Sequence, residues 1–107
     1  MAWVLVVVAG LFEVAMAYSL KLSHGFSELL PSIGFAVFAV LSFGLLAMAL
    51  KSLEVGTAYA VWTGIGAVGT AALGMLLLGD EVSFLKIASI SLILVGVVGL
   101  NLAGGGH

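Results

Sequence analysis

Four continuous apolar stretches, separated by the few charged residues the chain possesses, constrain this sequence more than any other feature. A helix needs about 20 residues to cross a hydrocarbon core of about 30 Å. The charges set spans of that length at about residues 2–20, 31–50, 55–79 and 86–103, joined by short polar connections. The runs are continuous rather than alternating and exceed the roughly ten residues of a barrel strand, so hairpins of β-strand are disfavoured. The expectation is an all-α integral membrane protein, residues 1–107 forming a single four-helix transmembrane domain.

Composition agrees. A soluble domain would carry about a quarter of its residues as charges, whereas 7% are charged here and 64% are hydrophobic. Three Lys and no Arg exclude a basic face for nucleic acid, because counterion release needs clustered cations. The absence of Cys excludes disulfides and thiolate metal sites. No nucleophile with a neighbouring base, no metal-ligand cluster and no phosphate loop is evident, so neither catalysis nor a cofactor is expected. The first stretch lacks a basic n-region and carries a mid-span Glu, and so reads as a mature helix rather than a signal peptide. Pro31 falls where a second helix would begin, a position that tolerates its missing N–H.

Lys21 and Lys86 would lie on one side of the membrane, with Lys51 and the N-terminal amine on the other. An excess of Lys and Arg normally fixes the cytoplasmic side; here the bias is near zero. Insertion in both orientations, permitting an antiparallel pair of inverted copies, and insertion in one orientation set by a small asymmetry or a partner both remain open. Four helices are few to enclose a polar pathway, so association is expected. Ser89, Gly96 and Ala103 recur at intervals of seven in the last span, with Gly99 nearby, and small residues let helix backbones approach closely in lipid. Dimer packing is therefore assigned to Ser89, Gly96 and Gly99.

Glu13 lies near the middle of the first span. An intramembrane acid is costly enough that it usually faces a cavity or a partner and marks an ion or substrate pathway. The alternative is a protonated group acting as glue between helices. No Lys or Arg lies within a span to neutralise Glu13, so its countercharge is a proton or a cationic ligand. Competition of the two for one carboxylate is the physical basis of exchange: protons entering down their gradient drive an organic cation out.

Tyr59, Trp62, Thr63 and Gly66 fall at the spacings of one helical face in the third span. Aromatic faces attract cations, and a Tyr hydroxyl can hydrogen-bond a carboxylate; an interfacial aromatic belt is the other reading. Gly64 and Gly66 make this helix easier to bend, which is one way to change which side is open. Ser42, within the second span, either orients Glu13 or bonds to its own helix. His24 reads as an interfacial loop residue, and His107 follows a glycine run at the end of the chain.

The runs Phe12-Glu-Val14, Leu20-Lys-Leu-Ser-His-Gly-Phe26, Leu30-Pro-Ser32, Gly56-Thr-Ala-Tyr-Ala-Val-Trp-Thr-Gly-Ile-Gly66 and Gly96-Val-Val-Gly-Leu-Asn-Leu102 resemble those of the small multidrug resistance family. The resemblance implies an antiparallel dual-topology homodimer in a bacterial-type inner membrane. Its two copies of Glu13 would bind either protons or one cationic substrate. It further implies that Tyr59 bonds Glu13, Trp62 and Ser42 complete the proton and substrate site, Gly64 and Gly66 form the hinge, and helix four makes the dimer contact.

The family contains exporters of guanidinium-type compounds and exporters of quaternary ammonium or larger hydrophobic cations. Gly10, the Ala-Trp start and the Trp62 to Gly66 run resemble the former. Met16, where many of those have Trp, and Asn101, where they have Lys, lean towards the latter; Ala39, where multidrug members often have an aromatic residue, leans back. A flexible thioether on the Glu13 face would favour a looser pocket, lined by Gly10, Met16 and Thr63. The expected function is proton-coupled antiport of quaternary ammonium and other hydrophobic cations, with a guanidinium exporter as the alternative. A passive cation channel or a non-transporting membrane subunit is a further alternative.

Overall fold

The computed structural model describes residues 1–103, so Gly104 to His107, including the His107 considered above, lie outside the described residues. The described chain forms four helices, α1 (Ala2–Leu22), α2 (Leu29–Ala49), α3 (Val55–Leu77) and α4 (Phe84–Leu102). Each is long and apolar enough to cross a membrane, because in lipid a helix satisfies its backbone polar groups internally. The protein is all-α and multi-pass.

Local chemistry sets the ends of these helices. α2 starts at Leu29, and Pro31 falls in its first turn, where backbone N–H groups have no intrahelical acceptor. α4 starts at Phe84 because the Ser83 hydroxyl accepts the Lys86 N–H at 3.1 Å. The first connection is the most unusual stretch of backbone. His24, Gly25 and Phe26 all have positive φ (47°, 72° and 69°), a region that side-chain-bearing residues seldom occupy. Buried Ser23 holds them: its hydroxyl donates to the Leu20 carbonyl at 2.7 Å and accepts the Phe26 N–H at 3.1 Å.

α1 packs against both α2 and α3, whereas α4 packs only on α3. The helices therefore lie side by side in the order α2, α1, α3, α4, and the protomer is a slab of 43 × 34 × 16 Å. With helices about 10–12 Å across, this is little more than one layer. Buried Val6, Ala9, Leu46, Ala49, Ala58, Val61 and Trp62 form the core where α1 meets α2 and α3. α4 has no buried residue at all.

Candidate functional site

Glu13 sits on α1 facing α3, and α3 has no side chain where the acid arrives. A Cβ at Gly66 would overlap the Glu13 carboxylate, so only glycine leaves room for it. One helical turn towards the start of α1, a Cβ at Gly10 would come within 2.8 Å of Ile65 Cγ2. On the other side of Glu13, Val14 fills the space at Gly69. Glycines on both helices thus bring α1 and α3 together around the acid. Glu13 Oε1 is buried and has no hydrogen-bond partner among the described residues. A buried acceptor left in that state costs on the order of 1–3 kcal/mol, so this oxygen is suited to a proton or a ligand donor.

Beside the acid lies a polar tie through all three core helices. The Trp62 indole N–H donates to Ser42 Oγ at 2.9 Å, and that hydroxyl donates to the Ala9 carbonyl at 2.7 Å. Ser42 is wholly buried. Its two bonds run to α1 and α3, so the hydroxyl orients Trp62 against the α1 backbone; it neither bonds Glu13 nor turns back on α2. Trp62 is clamped by Phe43, with ring centroids 5.1 Å apart, and by the edge of Tyr59 at 5.6 Å.

Tyr59 itself is exposed, and among the described residues its hydroxyl makes no bond to Glu13 within the protomer. Thr63 is exposed too, its hydroxyl donating to the Tyr59 carbonyl of its own helix at 2.8 Å. Neither residue faces the acid inside one protomer. Met16 is partly buried on α1.

The glycines assigned to a hinge have a packing role here. α3 is one unbroken helix from Val55 to Leu77. Gly64 receives Val97 of α4, 2.8 Å from where a Cβ would stand, and Gly66 receives Glu13 of α1. Ser89, Gly96 and Gly99 are exposed on α4, and a Cβ at either glycine would touch nothing within 4 Å. Sequence reasoning missed Ala9 as a backbone acceptor and Gly69 and Gly74 as seats for neighbouring side chains. The recurrence Gly66, Gly69, Gly74 within one helix was the available signal.

A family model described as Small Multidrug Resistance protein matches residues 1–93. The chain belongs to the small multidrug resistance family. Similar relatives include proteins named guanidinium exporter from Yersinia pseudotuberculosis serotype I (strain IP32953), 60% identical over 96% of this chain and 99% of the relative, and from Escherichia coli (strain K12), 52% identical over 96% and 98%. A guanidinium exporter of Salmonella typhimurium (strain LT2) is also 52% identical over 96% of this chain and 98% of its own.

These relatives overturn the expectation of a quaternary ammonium antiporter and favour its alternative. The weight placed on Met16 and Asn101 was misplaced. Asn101 is exposed in the last turn of α4, remote in sequence from the glycine-lined seam. Gly10, which pointed the other way, is buried in that seam and sets how closely α1 approaches Ile65. In this small multidrug resistance protein Gly10 and Gly66 together set how closely α1 and α3 approach at Glu13.

Proposed function

We propose that the protein exports guanidinium and related guanidinyl cations from the cell in exchange for protons, with Glu13 as the shared binding group. The likeness to relatives named guanidinium exporter, at 60% and 52% identity over nearly the whole chain, carries this reading. The site's chemistry supports it. A guanidinium ion is planar and presents N–H donors in a fixed fork that matches a carboxylate bidentately. The unpartnered Oε1 of Glu13, lying on the bare backbone of Gly66, offers one acceptor of such a pair.

A slab little more than one helix thick cannot enclose a cation on its own. The working unit is a homodimer, in which the exposed faces of Tyr59 and Thr63 turn towards the pathway and the small residues of α4 make the contact. Balanced Lys residues on the two sides support an antiparallel arrangement, and the inner membrane is its place. Proton and substrate exclude one another at Glu13, so each step that admits one releases the other.

The experiment is guanidinium flux into proteoliposomes under an imposed pH difference, for wild type and Glu13→Gln. The wild type concentrates guanidinium against the proton gradient, and its apparent KM rises as pH falls on the binding side, since protons compete. Glu13→Gln loses the exchange at every pH. Flux that survives in the variant and needs no proton gradient would mark a passive channel and end this proposal.

A further inference from the structure

A second carboxylate rests on α3 in the same way as Glu13. Asp80, in the connection between α3 and α4, lies over Gly74, where a Cβ would overlap its carboxylate just as one at Gly66 would overlap that of Glu13. Gly74 follows Gly66 by eight residues, which is about two turns or 12 Å along the same face of the helix. The backbone places it there. Gly79, at φ 75°, turns the chain back on α3, and the Asp80 N–H donates to the Gly74 carbonyl at 2.9 Å. The turn is thus held by main-chain bonds, and the side chain is free for another task.

From Asp80 a cleft of about 170 Å³ runs along the α1–α3 seam towards Glu13 without reaching it, bounded by Ala17, Tyr18 and Lys21 of α1 and by Thr70, Gly74 and Asp80. Its inner residues, Ala17 and Thr70, are each four positions beyond Glu13 and Gly66, one helical turn from the acid. Its outer end is Asp80, exposed on the side of the membrane where the first and third connections lie. A water molecule takes about 30 Å³, so the cleft has room for one small planar cation with a little water. Tyr18 and Thr70 supply hydroxyls along the way.

We propose that Asp80 is an outer station for the guanidinium cation, held before it reaches Glu13 on the way in and after it leaves Glu13 on the way out. The inference rests on the exporter reading above and adds to it a second binding group and a route along the α1–α3 seam. Lys21 lines the same mouth, and in this proposal its ammonium is a tethered competitor for Asp80 when no substrate is present. Guanidinium displaces it because its rigid fork pairs with both carboxylate oxygens, whereas an ammonium is a point charge that stays strongly hydrated. Lys86, on the far side of Asp80, is held off by donating to the Glu81 carbonyl at 2.7 Å.

The test is guanidinium transport by full-length protein in liposomes, measured as KM and kcat at low and high ionic strength for wild type, Asp80→Asn, Asp80→Glu and Lys21→Met. Asp80→Asn raises KM about threefold to fivefold at low salt, the scale of one exposed charge pair, changes kcat less than about twofold, and flattens the salt dependence of KM. Asp80→Glu restores the wild-type values, and Lys21→Met lowers KM. Asp80→Ser is the second neutral variant should Asp80→Asn fail to fold. An unaltered KM and salt dependence in the neutral variants overturns the station while leaving the exporter reading intact. A rise in KM in Lys21→Met equal to that in Asp80→Asn also overturns it, showing a structural latch. Absence of guanidinium flux in wild type overturns both.

Discussion

The seam between α1 and α3 and the outer face of α4 are made of the same materials, apolar side chains interrupted by glycine, yet they end in opposite states. On α3, the glycines at 64, 66, 69 and 74 each receive a side chain from a neighbouring element: Val97, Glu13, Val14 and Asp80. On α4, Gly96 and Gly99 receive nothing, and no residue of that helix is buried. A glycine in a membrane helix is therefore of two kinds. One is a seat for a particular atom of the same chain; the other leaves a strip of backbone uncovered within the protomer, where the proposed dimer would make its contact.

Substitutions that fill the two kinds of space separate them most sharply. Gly66→Ala drives a methyl group into the Glu13 carboxylate and should reduce guanidinium flux by about two orders of magnitude, as expected when a reacting group is displaced by about 1 Å; flux near wild type would break the assignment of Gly66 as the seat of the acid. Next in size is Ser42→Ala, which leaves the buried Trp62 N–H and the Ala9 carbonyl without their shared partner. It should cost about 1–3 kcal/mol in denaturant unfolding, and a change within error would mean that water replaces the hydroxyl.

Smaller effects test the edge of the comparison. Gly64→Ala presses on Val97 Cγ2 and should destabilise by about 1–2 kcal/mol, and pairing it with Val97→Ala should recover part of that loss, a coupling measured by a double-mutant cycle. On α4, Gly96→Ala has open space within the protomer and should alter protomer stability by less than about 0.5 kcal/mol. Gly96→Trp should instead shift the monomer–dimer equilibrium in detergent or lipid towards monomer. A bulky residue at Gly96 that leaves the dimer intact would place the interface elsewhere.

Much of the architecture was legible in the chain. Apolar runs of bilayer length bounded by sparse charges leave a helix as the economical solution, because each backbone group must find its partner within the segment. The position of Glu13 within a span was legible for the same reason, since one acid in a long apolar run stands out; its seat over Gly66 was not. The subtype was misread because Met16 and Asn101 were weighed as chemistry without their positions. Ser42 was seen as a polar residue but not as a bridge, since its partners are a backbone carbonyl on α1 and an indole on α3, and neither distance is encoded in spacing along α2. The seat of Asp80 was not legible, because it depends on the turn at Gly79 that carries the chain back over α3.

The sequence alone thus determined the number and kind of elements, their fit to a lipid bilayer and the place of the one acid within a span, because these follow from local composition and the cost of unpaired polar groups. Only the tertiary structure decided which glycines are seats and which are open, which helix the Ser42 hydroxyl joins, and which carboxylates share a face of α3. Those outcomes depend on how helices lie against one another, and helices equally apolar on all sides carry little in their own periodicity to say which neighbour each face will meet.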